Sequence, residues 1–461
     1  MVDSLTPALA YARDHRTRFV EELKAFVHIP SISTDPEVVP DIQRAAQWVA
    51  DQLQNLGMDN VQILPTGGHP VVYGESLTAG TRKPVVLIYG HYDVQPAEPL
   101  DLWESPAFEP MQRGDNLYGR GASDMKGQIM IALKAVESLA RTDGLPVNVK
   151  FIFEGEEEVG SPNLERFIAA HKDLLACDFA LNPDAGMIGA DLPTITYGLR
   201  GMAYFEVRIF GPNHDLHSGG YGGVVHNPAQ ALCELVAGMH DAQGRVTLPD
   251  FYDKVRPLDQ QERDELARLP MDSQFYKQQT GAPELFGEAG YTPVERIGAR
   301  PTLEVNGLLS GFTGEGQKTV LPAKAMAKIS TRLVPDQNPD EVHQQLLKYM
   351  ETNAPPTVRW EVLKLSGAMP SITDRQIPGV IALSQALEAT WGKRPVYRRE
   401  GGTIPVVHQM CKILGVESVL TGFGLPDDNV HAPNEKLHLP TFFRGIDTVI
   451  RFLCILGNKE P

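Results

Sequence analysis

The sequence has no C-x-x-C pair. Its four cysteines, Cys177, Cys233, Cys411 and Cys454, lie far apart, which removes the thiolate zinc sites and redox dithiols that such pairs build. They read as four reduced thiols in partly buried positions, the usage of a cytosolic chain. A basic excess is lacking too: 42 Lys and Arg stand against 58 Asp and Glu, for a formal net charge of −16. No run of positive charge is there to neutralise phosphates, so nucleic acid is excluded as a partner. The acidic surface serves solubility rather than a cationic ligand. No stretch approaches the roughly 20 apolar residues of a membrane span, and there is no internal repeat or low-complexity tract. Near the N-terminus, the charges from Arg13 to Arg18 interrupt the apolar core that a secretory signal needs. A cytoplasmic protein with no membrane partner is expected.

At 461 residues the chain is too long for one ordinary core, so two domains are expected. From Thr6 to Phe26 the pattern is helical, with Phe19, Leu23 and Phe26 on one face. A second helix covers Asp41–Leu56, with Ile42, Ala46, Val49 and Leu53 on its buried stripe. Pro84 to Gly90 and Val147 to Phe153 are continuous apolar runs, which predict fully buried strands, and Lys126–Ala140 is a helix between them. This alternation predicts an α/β sheet with helices on both faces. The texture changes near Gly198. Ala203–Phe210 alternates like a half-exposed strand; a helix at Pro228–Met239, a strand at Ala325–Leu333, a helix at Pro339–Met350 and a strand at Val358–Leu365 follow. That order predicts a small α+β sandwich, with 241–300 as surface helices and loops. After Met369 the α/β texture returns, with helices at Ile377–Trp391 and Pro440–Leu456. The expected organisation is a catalytic α/β domain (1–197 and 367–461) interrupted by an inserted α+β domain at 198–366.

Five polar segments follow apolar runs. The strand ending at Gly90 delivers His91-Tyr92-Asp93, at the strand end where open α/β sheets bind ligands. Asp93 returns to the side of His91 and can hold its imidazole, although H-x-D alone reads as well as a structural histidine. Next, Tyr118–Gly127 is glycine-rich and ends in Asp124 just before a helix; an N-cap is one reading of that Asp. A phosphate loop is a poorer one, since the Walker pattern is absent and Asp repels phosphate. Third, the strand through Phe153 runs into Glu154 and Glu156–Glu158. Charge runs are usually solvated surface, but at the end of a buried strand carboxylates repel unless something positive neutralises them. A metal pair would do so, and adjacent Glu157 and Glu158 could then divide the work of ligand and general base. Asp184 and His431 sit in turn-rich sequence after Phe179–Leu181 and Val419–Gly422. Singly each reads as a turn residue. Together, two His and three carboxylates suit zinc, manganese or cobalt.

The sequence resembles the co-catalytic zinc peptidase family of carnosinase-like dipeptidases, glutamate carboxypeptidases, aminoacylase and the desuccinylase of lysine biosynthesis. The likeness runs over essentially the whole chain. It is strongest to the carnosinase-like cytosolic dipeptidase branch, through HYDVQP at 91–96, LYGRGASDMKG at 117–127, DLHSGGYGG at 215–223, KTVLP at 318–322, RLVP at 332–335 and REGGTIP at 399–405. It implies a mixed-sheet catalytic domain of zinc-peptidase type with a ferredoxin-like lid and dimerisation domain inserted. It also implies two divalent ions per subunit, zinc first, with manganese or cobalt as alternatives. Asp124 would bridge them; His91 and Asp184 would complete one site, Glu158 and His431 the other. Alignment on Val159-Gly160-Ser161 makes Glu157 the general base acting on the bridging water, and Asp93 would orient His91. The peptide bond after Asp124 would be cis. His217 would stabilise the oxyanion from the partner subunit of a homodimer, and Thr319, Arg332, Gly402 and Thr403 would hold the substrate. A dipeptide is the expected substrate, an N-acyl amino acid the alternative, and a metal-binding homologue without catalysis a third reading. One departure bears on substrate preference: Ser366-Gly367-Ala368-Met369 stands where carnosinase-like members often carry His-Gly-Gly.

Overall fold

The computed structural model describes residues 5–35 and 39–458. Its chain divides into two compact units: the chain up to Tyr197 with Thr373–Tyr397 and the segment from Pro405 onward, and Gly198–Ile372 with Arg398–Ile404. The inserted unit therefore extends six residues past the expected boundary at 366 and takes in a loop at 398–404. The cause is local hydrogen bonding. The Arg200 N–H donates to the carbonyls of Glu400 (3.3 Å) and Gly402 (3.1 Å), and Thr403 Oγ1 donates to the Arg200 carbonyl at 2.5 Å.

In the first unit the strands run in the order Asp59–Leu64, Val71–Ser76, Asn148–Glu154, Val85–His91, Phe179–Asn182, Ser418–Leu420, Thr194–Leu199. The four from Asn148–Glu154 to Ser418–Leu420 are mutually parallel, and the flanking pairs are antiparallel. Every residue of Asn148–Glu154 is buried, so both faces of the sheet are covered, as an apolar run in a parallel strand requires. The helix Lys126–Ala140 has the predicted bounds, and the stripe Ile42, Ala46, Val49 and Leu53 of Val39–Leu56 is buried. The single N-terminal helix predicted from Thr6 to Phe26 is instead two, Leu5–Asp14 and Arg16–Val27, with a break at His15. Ala8, Ala12, Phe19, Leu23 and Phe26 are all buried, so the apolar stripe carries across the break and conceals it in the sequence.

The second unit holds a four-stranded antiparallel sheet in the order Thr302–Ser310, Lys324–Leu333, Gly201–Phe210, Arg359–Ala368. Ala203, Phe205, Val207 and Ile209 share a core with Ala325, Ala327 and Ile329, and with Leu232 and Leu235 of one helix and Val342, Leu346 and Met350 of another. Short helices at Gln260–Leu266, Ser273–Thr280 and Pro293–Ala299 occupy the charged stretch. The cysteines are free. Two of them correct the expectation of partial burial: Cys233 and Cys411 are exposed, Cys233 on the helix Pro228–Ala237 and Cys411 on the helix Pro405–Leu414.

Candidate metal centre

Parallel strands in register bring the chain to one end of the sheet at each carboxyl terminus. His91 is the last residue of its strand. Glu157 and Glu158 open a short turn three residues past the neighbouring strand, Asn148–Glu154. Asp184 lies two residues past Asn182, and its N–H donates to Asn182 Oδ1 at 2.9 Å. Asp124 precedes the helix Lys126–Ala140, and its bond to Met125 is cis. His431 follows Ser418–Leu420 on a loop, with a positive φ of 62°.

These five side chains form two groups that share one member: His91, Asp124 and Asp184, and Asp124, Glu158 and His431, with candidate ligand atoms within 4.8 Å of one another in each. Asp124 offers one oxygen to each group. Oδ1 is 3.1 Å from His91 Nε2 and Oδ2 is 3.0 Å from His431 Nε2. His91 Nε2 lies 3.8 Å from Asp184 Oδ1, and His431 Nε2 lies 3.2 Å from Glu158 Oε2. His91 is 1 % exposed and His431 51 %, so one group is deep and the other open.

The electrostatics are those of a site short of positive charge. Burial pushes the Glu157 carboxyl up to about 9, with Asp184, Glu158 and Asp124 adding to the shift and His91 opposing it. Burial likewise carries Asp184 to about 6 against the pull of His91. Hydrogen bonds to Asp124 and then Glu158 raise His431 to about 10. On Asp124, burial opposes ionisation, but bonds to His431 and His91 hold the carboxyl below its ordinary range. The raised affinities of His431 and Glu157 for protons reflect negative charge that the cluster does not itself balance. Glu158 Oε1 is buried with no hydrogen-bond partner, the condition of a ligand atom waiting for an ion. Imidazole and carboxylate donors in two groups with a shared carboxylate fit a pair of borderline divalent cations.

The surroundings fix the ligands. Asp93 is fully buried; its Oδ1 is 3.5 Å from His91 Nδ1, and its backbone carbonyl is 3.1 Å from the same nitrogen. Gln95 Nε2 donates to Glu158 Oε2 at 2.8 Å. Glu435 accepts from Arg120 Nη1 and from the backbone around Asp124; burial raises it to about 7 against the pull of Arg120. Sequence reasoning singled out neither Gln95 nor Glu435. Gln95 stood inside HYDVQP, and Glu435 stood four residues after His431 with no other signal.

The remaining predicted site residues lie in the second unit. His217 is exposed and ends a two-residue strand paired with Val320–Leu321; its Nδ1 accepts the Gly219 N–H at 2.9 Å. The Ser218 N–H donates to the Thr319 carbonyl at 3.0 Å, which makes His217 and Thr319 neighbours. Arg332 Nη1 is 3.4 Å from Thr403 Oγ1, next to Gly402. The structure therefore brings these residues together as two groups, His217 with Thr319 and Arg332 with Gly402 and Thr403.

A model of peptidase family M20/M25/M40 matches residues 87–454. The Beta-Ala-His dipeptidase of Homo sapiens is 32% identical, over 98% of this chain and 93% of that protein. The Cys-Gly metallodipeptidase of Candida albicans is 30% identical, over 98% of each. Among solved structures, the M20 family metallo-carboxypeptidase Sso-CP2 from Sulfolobus solfataricus superposes with a TM-score of 0.83 at 33% identity, covering 95% of this chain and 99% of that one.

Proposed function

The chain belongs to peptidase family M20/M25/M40, and from that premise we propose how it works: it is a metallodipeptidase, a hydrolase of the amide bond of dipeptides, in which Glu157 is the general base. What supports this reading above all is that Asp124 stands in both candidate cation groups. Bound there, a pair of divalent cations supplies Lewis acidity and makes water acidic near neutral pH. Asp124 would be the ligand common to both, with His91 and Asp184 completing one set and Glu158 and His431 the other. Zinc is the ion proposed, with manganese or cobalt as substitutes.

Glu157 accepts a proton from the attacking water and passes one to the nitrogen of the leaving amine. Burial raises its proton affinity, which suits a group that holds a proton between the two transfers. Asp93 holds the His91 imidazole. The partner subunit's His217 donates to the oxyanion in a homodimer. Arg332 takes the substrate's terminal carboxylate through its planar fork, with Thr319, Gly402 and Thr403 beside the peptide. No helix among the described residues is long and apolar enough to cross a membrane, and a cytoplasmic location is proposed.

The deciding measurement is amino-acid release from a panel of dipeptides and N-acyl amino acids, with added zinc, manganese or cobalt. Metal-loaded protein cuts dipeptides, and Glu157→Gln lowers kcat by about 100-fold or more while binding the same number of ions. Release from N-acyl amino acids alone would move the reading to a deacylase. Full activity of the variant would remove Glu157 from its role.

A further inference from the structure

Of the side chains around the candidate centre, one that neither binds nor reacts is tied to the chain there by the most bonds. The Glu435 carboxylate is fully buried. Its Oε2 accepts from Arg120 Nη1 at 2.8 Å and from the Gly121 N–H at 2.9 Å. Its Oε1 accepts from the Ser123 N–H at 2.9 Å and from the Asp124 N–H at 3.1 Å. Four donors on two oxygens fill an ionised carboxylate and leave nothing unpaired. A neutral amide of the same shape would turn an NH2 group toward two of those donors.

The residues held are the glycine-rich turn that ends in Asp124. That turn lies before the helix Lys126–Ala140, so the Gly121, Ser123 and Asp124 N–H groups have no helical carbonyl to meet and take an outside acceptor. Glu435 is also four residues from His431. A second bond ties the same two segments: Ser123 Oγ donates to Asp428 Oδ2 at 2.8 Å, and Asp428 in turn pairs with Lys436 Nζ at 3.0 Å. One short segment, 428–436, therefore carries His431 and also grips the backbone of Asp124.

We propose that Glu435 is the positioning residue of the centre: it aims Asp124 at both cation sites and sets the separation between Asp124 and His431. The proposal rests on the reading of Asp124 as a shared cation ligand. Glu435 touches neither substrate nor ion; it acts through the Asp124 backbone.

The test compares wild type with Glu435→Gln and Glu435→Asp in two measurements. The first is zinc affinity and stoichiometry, by competition with a chromophoric chelator. The second is hydrogen exchange of the Gly121, Ser123 and Asp124 amides in metal-free protein, which needs no activity. Glu435→Gln is expected to bind zinc about 10–100-fold more weakly and to exchange those amides faster, while the helix that follows stays protected. Glu435→Asp, still a carboxylate, recovers part of the affinity. A variant with a lowered Tm but unchanged affinity in its folded fraction would reduce Glu435 to a structural group and overturn the proposal. Rapid exchange of the Ser123 and Asp124 amides in metal-free wild type would overturn it as well, whether or not any variant folds. Wild type that bound no divalent ion at all would instead remove the metal reading underneath.

Discussion

Asp93 Oδ2 accepts the backbone N–H of Glu158 at 3.1 Å. The other oxygen takes the Glu157 N–H at 3.2 Å, so one buried carboxylate spans the start of the turn that bears both acids. The same carboxylate faces His91. Asp93→Asn sets an NH2 group against one of those amides and weakens the hold on the imidazole. We expect roughly 10–100-fold lower kcat or metal affinity, read by kinetics at saturating metal and by a zinc titration. Unchanged values in both would show that Asp93 orients nothing that matters.

Arg332 offers a second prediction. A lost charge-assisted bond to a carboxylate is worth about 10–100-fold in binding. Arg332→Ala should raise KM by that factor for dipeptides with a free C-terminus. Dipeptide amides should be cut poorly by wild type and no worse by the variant. An equal loss on both substrates would place Arg332 elsewhere in the reaction.

Subunit exchange tests His217. His217→Ala and Glu157→Ala, each close to inactive alone, should regain part of the activity when mixed dimers form, because one of the two sites then has both groups intact. Verified exchange with no recovery would mean that His217 acts within its own chain or not at all.

Far from the chemistry, Glu137 makes a prediction in pH. Burial raises its carboxyl, but Arg18 and Lys134 outweigh burial and hold it below its ordinary 4.5. Lys134 Nζ donates to Oε2 at 2.8 Å and Tyr11 donates to Oε1 at 3.0 Å. A folded pKa below the unfolded one means stability that is present above pH 4.5 and lost as pH falls through the folded value. Glu137→Gln should cost about 2 kcal/mol at pH 7, less than a sealed pair because Arg18 is 39% exposed. In melts of metal-free protein, the gap in Tm between variant and wild type should narrow as pH drops below 4.5. A constant gap would deny the charge its part.

Much of this was legible in the sequence because chemistry interrupted pattern. His91 and Glu157–Glu158 stood out as polar residues at the ends of apolar runs, each with an ordinary structural reading alone and a common one only together. The helix Lys126–Ala140 was bounded by its own periodicity. What stayed hidden was pairwise and distant. That Asp124 divides its oxygens between His91 and His431 depends on strand order, which no local spacing encodes. Glu435 looked like any turn acid, since three of its four donors are backbone N–H groups more than 300 residues earlier in the chain, and backbone groups leave no signature in a sequence. The loop 398–404 joined the inserted unit for a similar reason, through the carbonyl and amide of Arg200.

The parallel strands also have another end. His91, Glu158 and Asp184 lie at or just past the carboxyl ends of parallel strands, whereas the connection from Ser76 to Val85 enters Val85–His91 at the opposite end. Leu77, Gly80, Arg82 and Lys83 of that connection are exposed. Asn148 Nδ2 holds the Gly80 and Lys83 carbonyls, so the turn keeps its length while its exposed side chains accept attached groups at little thermodynamic cost. That turn is where the chain offers a handle for a tag, a fluorophore or a surface linkage that keeps the reacting end of the molecule facing solution.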